Sequence, residues 1–348
     1  MSTTPNLMST TPNVLGIFPS FAPGEFGGVQ ASGRDAWDGM VEHVGAGRAH
    51  ALCYEPETSK AETILRALRI RSCPDIILVW HLHLLKLLPF LQSNGARIVL
   101  FLHGIEVWRK HNPVMRSLLR RTHLMVTNSE YTWARFLDSN PEMSGARHQT
   151  VHLGAGLPLD TEIAQPAGTP AALMIGRLCR NEDYKGHREM IQAWPLVAAR
   201  EPGAELWIVG GGDGQPGLER LAQDRGVGQC VRFFGRVSDA EKESLIARSR
   251  CLALPSAGEG FGLVYLEAMR MGRPCLVSDV DAGREVIDPP ECGLAAGPGR
   301  VEELADCVLR LIRPGEEWDG WSRRARARYE ARFTARHFQE RLVGAIFE

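Results

Sequence analysis

The chain lacks three features that would place it in other classes of protein. No apolar run is long enough to span a bilayer, because the longest candidate, at 76–91, is interrupted by two histidines, a lysine and a proline. The formal net charge is only -1, so no global field recruits nucleic acid. None of the eight cysteines forms a C-x-x-C pair, which favours free thiols of a cytosolic protein.

The first residues also lack the basic start and the apolar core of a secretory signal. They repeat MSTTPN after a single leucine, which predicts a disordered polar tail over 1–13. We therefore expect a cytoplasmic location.

Short β-rich runs alternate with helical stretches along the rest of the chain. The predicted strands are 14–19, 75–80, 96–102 and 123–128, and, beyond a linker, 171–176, 204–210, 229–235, 251–255 and 274–279. Helices are predicted between them, for example at 28–43 and 112–121. This rhythm predicts an α/β fold of two Rossmann-like, doubly wound domains that face each other across a cleft. Ligands should bind in the turns that follow the strands.

Two of these turns carry side chains suited to an anion or a sugar. Arg177 follows a predicted strand and Lys185 precedes the next helix, so the two cations could converge on a diphosphate. His103 directly follows the strand at 96–102, where it can hydrogen-bond a ligand. The alternatives are solvated surface cations and a structural histidine.

Two weaker motifs concern the binding of a phosphate and of a metal ion. Gly27 and Gly28 precede and open the first helix, where their backbone could approach a phosphate. Asp279 and Asp281 form a D-x-D, but no histidine or third carboxylate lies nearby at ligand spacing. No metal site is therefore predicted.

A nicotinamide-dependent enzyme is a poor match to the glycine-rich loop at 212–217. The loop fits G-x-G-x-x-G between a strand and a helix. However, the next strand is followed by Arg236 instead of the acid that would hold the ribose, and Pro216 removes one amide donor.

The stretch SAGEGFGLVYLEAMRMG holds two glutamates eight positions apart. Glu259 lies in a glycine-rich turn, and the following helix is predicted to begin near Phe261 or Gly262. The amides of a first helical turn have no partner within the helix, and the positive end of the helix dipole lies there. Such a turn predicts an anion or polyol site.

Glu267 falls in the second turn of the same predicted helix, among apolar residues. A carboxylate buried there is costly unless it is paired, and the two hydroxyls of a vicinal diol would pair with it well. The alternative is an ion pair with Arg270 at i,i+3, with Glu259 solvated.

These residues resemble a known family. SAGEGFGLVYLEAMRMGRPCLVSD resembles the E-x7-E signature of retaining GT-B glycosyltransferases of the GT4 (glycosyl transferases group 1) family. GRLCRNEDYKGH is similar to the family's Gly-Arg-Leu…Lys-Gly segment, with a longer gap. VGGGDG, FFGRVSDAE, FLHG and the glycine pair before Val29 follow in family order. The resemblance covers about 14–347 and is strongest over 171–290.

The resemblance implies a division of labour between the domains. It predicts an N-terminal acceptor domain at 14–165, a nucleotide-sugar donor domain at 166–330, and a C-terminal helix at 331–348 that crosses back to the first domain.

It also implies an activity and a set of site residues. The activity is retaining, metal-independent transfer of a hexose of the mannose or glucose type from a nucleotide-diphosphate sugar, without a cofactor. The acceptor would be a glycan or a lipid-linked sugar in surface or exopolysaccharide synthesis. The implied catalytic residues are His103, Arg177, Lys185 and Glu259, and the implied donor-binding residues are Gly27, Gly28, Phe261, Gly262, Leu263 and Glu267.

Each implied role agrees with the chemistry of the residue. Glu267 would bind the ribose diol and Glu259 the hexose hydroxyls. Arg177 and Lys185 would hold the diphosphate, and His103 would touch the sugar near the reacting carbon.

The acceptor half contains a basic segment. Between 55 and 122 there are eleven Lys or Arg against five Asp or Glu, and Arg116, Arg120 and Arg121 lie beside Leu118 and Leu119. A basic, leucine-bearing helix can lie on an anionic membrane, whereas the alternative is a solvated charged face.

Two other functions fit the same scaffold. A nucleotide-sugar 2-epimerase would release a free isomerised sugar nucleotide and would need no acceptor surface. A non-catalytic binder would hold the sugar nucleotide without turning it over.

Overall fold

The computed structural model describes residues 11–21, 27–54, 57–70 and 73–348. They form two compact units: the first contains the described residues up to Asn128, together with Trp133–Val151 and Phe338–Glu348, and the second contains Ser129–Thr132 and His152–His337. Most of the predicted tail at 1–13 thus lies outside the described residues, as does part of the loop after the first strand.

Strands and helices alternate along most of the described chain. The strands are β1 (Val14–Pro19), β2 (Ala49–Tyr54), β3 (Ile76–Val79), β4 (Arg97–Leu102), β5 (Leu124–Thr127), β6 (His148–Thr150), β7 (Ala171–Ile175), β8 (Glu205–Val209), β9 (Val231–Gly235), β10 (Cys251–Leu254), β11 (Cys275–Ser278) and β12 (Gly293–Ala296). The helices are α1 (Gly28–Val44), α2 (Lys60–Arg69), α3 (Pro113–Leu119), α4 (Glu130–Ser139), α5 (His187–Arg200), α6 (Gln215–Asp224), α7 (Asp239–Arg248), α8 (Leu263–Arg270), α9 (Gly283–Ile287), α10 (Val301–Ile312), α11 (Glu316–Arg332) and α12 (Ala335–Phe347). Short 3-10 helices lie at Ala46–Arg48, Leu82–Phe90, Pro141–Met143 and Arg180–Lys185.

Each unit is built on a parallel sheet of six strands. The first sheet has the order β2-β1-β3-β4-β5-β6, and the second has the order β12-β11-β10-β7-β8-β9. Their strand order reverses between β1 and β3 and between β7 and β10, respectively. In doubly wound sheets the crevice at such a switch point, beyond the carboxyl ends of the strands, is where ligands bind.

In this division the second unit begins before the predicted boundary at 165/166, since it already includes His152. The reason is that the segment after β6 packs on the second unit. Ala155 accepts a hydrogen bond from the Tyr329 hydroxyl at 2.8 Å, and its own amide donates to Phe333 O at 3.0 Å. At the other end, α12 belongs to the first unit from Phe338 onwards.

Leu118 and Leu119 contradict the predicted membrane-facing helix. Both are buried, at 7% and 0% exposure, because α3 turns its leucines into the core of the first unit. The neighbouring Arg120 and Arg121 lie beyond the end of α3, at the amino end of β5, away from the carboxyl ends where the site is expected. Within the described ranges, no helix is both long and apolar enough to cross a membrane.

Candidate active site

An ion pair lies at the switch point of the second sheet. Lys185 Nζ is 3.5 Å from Glu259 Oε2, and the two side chains are only 17% and 24% exposed. Burial disfavours the charged ammonium, but the combined attraction of Glu259, Tyr184 and Glu182, with the hydrogen bond to Glu259, outweighs it and raises the pKa of Lys185. Lys185 is therefore a cation at neutral pH and is paired with a carboxylate. A cation in this position is suited to bind an anionic ligand.

Close packing of two turns brings the pair together. Gly186 has φ 81°, and a Cβ there would lie 2.7 Å from Pro255 O, so only glycine allows the turn after β7 to approach the turn after β10. The Ala257 amide donates to Tyr184 O at 2.7 Å and joins the same two turns.

Arg177 belongs to the same charged cluster but is far more exposed. Its guanidinium is 2.5 Å from Glu182 Oε1, and its side chain is 71% exposed. Burial raises the pKa of Tyr184, and the charges of Lys185, Glu182, Glu259 and Arg177 all act on this hydroxyl. The structure therefore places the charges of Arg177, Lys185 and Glu259 around one tyrosine hydroxyl.

The helix after Glu259 begins later than predicted. Its first residue is Leu263, and Gly262, in the left-handed conformation at φ 87°, precedes it without a side-chain cap. The start lies within one residue of the predicted one near Gly262, and the left-handed glycine accounts for the difference by interrupting the helical backbone. Of the three predicted donors only Leu263 belongs to the first turn; Phe261 is 2% exposed in the preceding turn.

Asp281 holds the Glu259 turn in place. Its Oδ2 accepts from the Glu259 amide at 3.2 Å and its Oδ1 from the Gly283 amide at 2.9 Å. Burial raises the pKa of Asp281 to about 8. No group of three or more histidine, cysteine or acidic side chains suited to a metal occurs among the described residues.

Glu267 forms a separate ion pair with a residue of the neighbouring helix. Lys242 Nζ lies 3.0 Å from Glu267 Oε1 and 3.2 Å from Asp239 Oδ1. Burial raises the pKa of Glu267 more than the attraction of Lys242 lowers it. The alternative partner, Arg270, instead lies 3.3 Å from Glu243 Oε1.

In the first unit, Trp80 joins the candidate residues at the other switch point. The residue follows β3 and is fully buried. Its Nε1 donates to Val29 O, in the first turn of α1, at 2.9 Å, and its carbonyl lies 2.6 Å from His103 Nε2. Gly27 precedes α1 without a side-chain cap and Gly28 is the first residue of this helix. Trp80 thus contacts both the start of α1 and His103 through hydrogen bonds.

His103 is held as a neutral ring. It is 8% exposed, and burial lowers its pKa. Because the Trp80 carbonyl can only accept, Nε2 carries the proton and Nδ1 is left as an acceptor. A ring in this form can accept a hydrogen bond from a sugar hydroxyl.

Comparison with known proteins decides the family. Residues 169–314 match the family described as Glycosyl transferases group 1. The GDP-mannose-dependent alpha-(1-6)-phosphatidylinositol monomannoside mannosyltransferase of Mycobacterium tuberculosis is 30% identical over 313 residues, which cover 81% of this chain and 78% of that protein. The chain belongs to the group 1 glycosyl transferases.

Other similar proteins agree with this family and confirm the predicted GT-B fold. Glycogen synthase of Mycobacterium tuberculosis is 32% identical over 252 residues, covering 68% of this chain and 58% of that protein. Anabaena HepE, solved with UDP-glucose, superposes with a TM-score of 0.76 at 18% identity, covering 97% of this chain and 99% of that one. Sucrose-phosphate synthase from Thermosynechococcus elongatus gives a TM-score of 0.76 at 18% identity, covering 95% and 98%.

The chain is accordingly a hexosyltransferase that uses a nucleotide sugar. These relatives give no support to the alternative of a nucleotide-sugar epimerase.

Sequence reasoning missed three residues of this glycosyl transferase. Asp281 stands out in the sequence only as half of a D-x-D, and its bond to the Glu259 amide has no signal there. Lys242 lies four positions after Ser238, whose Oγ accepts from the Glu241 amide at 3.2 Å, as in a capping box. The cap places Lys242 in the first turn of α7, but its partner Glu267 follows from tertiary packing. Trp80 at a strand end could have been found by the same rule as His103.

Proposed function

We propose that this chain is a retaining hexosyltransferase that moves mannose or glucose from a nucleoside diphosphate sugar to a glycan or lipid-linked acceptor. The observation that carries the proposal is the Lys185–Glu259 ion pair at the switch point between β7 and β10. The pair offers a cation for phosphate and a carboxylate for sugar hydroxyls side by side.

The chemistry that these residues supply is stabilisation of the leaving group. As the bond between the anomeric carbon and the diphosphate breaks, negative charge grows on the phosphate oxygen. Lys185 and Arg177 are placed to balance that charge, and preorganised charges of this kind lower a barrier most when water is excluded. Glu259 would orient the hexose, and Glu267 would hold the ribose diol.

Retention of configuration follows from the proposed direction of attack on the anomeric carbon. The acceptor hydroxyl attacks the face from which the diphosphate departs, a carbon–oxygen bond forms as the other breaks, and the departing phosphate oxygen takes the acceptor proton. No nucleophilic carboxylate is required in this route. His103 would accept a hydrogen bond from the donor sugar through Nδ1.

The substrates named for similar proteins favour these classes of donor and acceptor. The mycobacterial relative is described as GDP-mannose-dependent and as acting on phosphatidylinositol monomannoside, and HepE was solved with UDP-glucose. A lipid-linked or surface glycan made at the cytoplasmic side of a membrane is therefore the acceptor we propose, with surface or exopolysaccharide synthesis as its context.

The test is a panel of GDP- and UDP-sugars with glycan and lipid-linked acceptors, with the product anomer assigned by proton NMR. We expect an α product from an α donor and activity that survives EDTA. Lys185→Ala should lower kcat by about 10²–10³-fold, as for loss of one preorganised donor, with a much smaller change in KM. Arg225→Ala, at an exposed position after α6, is the control. A β product, or a strict need for a divalent metal, would overturn the corresponding part of the proposal.

A further inference from the structure

A cavity of about 450 Å³ lies within the second unit. Its walls are the 3-10 helix at Arg180–Lys185, the start of α5 and the start of α6. Neither Lys185 nor Glu259 is among the described residues that line this cavity. Its volume falls within the range of pockets that hold small molecules. The gap between Arg177 and Lys185, which is longer than in the family pattern, supplies one of these walls.

The lining of the cavity is basic. It contains Arg177, Arg180, Arg188 and Arg220 against Glu182 and Asp183, so four positive charges face two negative ones and the net charge of the lining is +2. Arg177 is paired with Glu182 and Arg188 with Asp183. The surplus therefore rests on Arg180 and Arg220.

Arg180 is oriented by the loop after β8, and it forms no ion pair with any residue that the structure describes. Its Nε donates to the Asp213 carbonyl at 3.2 Å, while the Asp213 carboxylate accepts from the Arg180 amide at 3.0 Å. The Asp213 side chain reduces the local positive charge but does not line the cavity.

Two buried polar atoms on the lining have no hydrogen-bond partner among the described residues. They are His187 Nε2 and Glu182 Oε2, and His187 is only 4% exposed. Native proteins rarely leave buried polar atoms unpaired, so such atoms point to a partner that the chain does not supply. An imidazole nitrogen and a carboxylate oxygen are both suited to hydroxyl groups.

At the start of α6, the backbone amides are already bonded, so on this wall the anion is left to the side chains. The Gln215 amide is bonded to Gly212 O at 3.3 Å and the Gly217 amide to Gly214 O at 3.0 Å, while Pro216 has no amide hydrogen. Arginine forks, which match phosphate oxygens in pairs, are therefore the available anion ligands.

We propose that this cavity binds a small phosphorylated sugar, with Arg180 and Arg220 on the phosphate and with His187 and Glu182 on the hydroxyl groups. Phosphate alone would use only the arginines, and a neutral sugar only the two unpartnered atoms. A sugar phosphate satisfies both sets at once and fits the volume. The cavity shares Arg177 with the proposed donor site, but neither Lys185 nor Glu259 lines it, so the ligand proposed here is distinct from the group that the Lys185–Glu259 pair would hold.

Titration calorimetry on the full chain tests this with glucose 6-phosphate, mannose 6-phosphate, inorganic phosphate and glucose. We expect saturable binding of a hexose phosphate, at least about tenfold tighter than inorganic phosphate or glucose. Arg180→Gln with Arg220→Gln should weaken it by at least about tenfold. Arg225→Gln, an exposed arginine at the end of α6, should leave it unchanged.

Several results would overturn the proposal. They are the absence of saturable binding by either hexose phosphate, an equal loss in Arg225→Gln, and displacement by GDP or UDP, which would make the cavity part of the donor site. If the double variant does not fold by circular dichroism, Arg220→Gln alone carries the comparison.

Discussion

At the scale of single residues, Glu267 depends on a partner from another helix. Lys242 lies 3.0 Å away and lowers the pKa of Glu267, although burial raises it more. In the proposed ribose role, two requirements compete at this carboxylate: it must be ionised to accept two ribose hydroxyls, and it must be partly buried to exclude water. Lys242 opposes the effect of burial on the pKa of Glu267, and in that role it would be a positioning residue.

Substitutions of this pair should therefore differ in their pH dependence. Glu267→Ala should weaken nucleoside diphosphate binding by about 1.5–3 kcal/mol at every pH, because a charged acceptor is lost. Lys242→Met should raise the pKa of Glu267 further, so its affinity loss should be larger at pH 6 than at pH 8. Calorimetric titration of GDP and UDP across this range measures both. An unchanged affinity in folded Glu267→Ala would remove the ribose assignment.

His187 makes a pH-dependent contribution to stability. Burial lowers its pKa from 6.5 to about 4, so the unfolded chain binds a proton between these values that the folded chain does not. The free energy of unfolding should thus fall by about 3 kcal/mol as the pH falls through this window. Urea unfolding of His187→Gln should show that much less pH dependence than the wild type, whereas His50→Gln, on an exposed position of β2, should not differ. Equal slopes would mean that His187 is not buried in its neutral form.

At the scale of elements, the start of α8 fixes the geometry of the Glu259 turn. A Cβ on Gly262 would lie 2.4 Å from the Tyr265 ring and 3.2 Å from Glu259 Cγ, and its backbone φ is 87°. Gly235, at the end of β9, has φ 66° but no atom within 4 Å of the same added Cβ. The two glycines share the backbone conformation and differ in their surroundings.

Alanine substitutions at these two positions should separate the cost of backbone strain from the effect of displacing a neighbouring side chain. Both substitutions should cost roughly 1–2 kcal/mol of stability for the left-handed backbone. Only Gly262→Ala should also lower kcat/KM, because Tyr265 or Glu259 must move to make room. Denaturant unfolding and initial rates are the measurements. Equal activity in the two variants would show that the turn tolerates displacement of Glu259.

The buried centre of each sheet was predictable from the sequence, whereas three of the four edge strands were not; the fourth edge strand, β9, was predicted at 229–235. β3, β5, β10 and β11 are continuous apolar runs that are buried throughout, and all four were predicted within two residues of their observed ends. The edge strands β2, β6 and β12 were missed. β2 and β6 are largely exposed or half-buried, and β12 is the short run GLAA, whose glycine and alanines have low β propensity.

The candidate site divides in the same way. Residues in turns after predicted strands, such as Arg177, Lys185 and Glu259, could be found because topology alone places them together. Lys242 and Asp281 could not, because their contacts depend on how α7 and the turn after β11 pack against the Glu259 segment.

At the scale of the whole molecule, net charge near zero conceals a local imbalance. The first unit carries a basic segment, and on it α2 exposes Leu65 and Leu68, at 52% and 56%, beside Arg66 and Arg69. Both α2 and α3 pack against the 3-10 helix at Leu82–Phe90. The buried leucines of α3 cannot contact a membrane. The exposed leucines of α2, which packs on the same 3-10 helix as α3, are available for that contact.

Binding of the full chain to vesicles should therefore need both charge and these leucines. Wild type should bind phosphatidylglycerol vesicles at low salt and dissociate at high salt, because exposed charges are screened within about 10 Å at 0.1 M. Arg120→Gln with Arg121→Gln should weaken binding by about 2 kcal/mol, or about thirtyfold, since each surface arginine contributes about 1 kcal/mol. Leu65→Ser with Leu68→Ser should weaken it at every salt concentration, because apolar contact is not screened.

Sedimentation with vesicles measures the binding of the wild type and of both double variants. The affinity for the nucleotide sugar should stay constant in every variant. If wild type ignores such vesicles at low salt, the acceptor reaches the site from solution and the peripheral-membrane hypothesis fails.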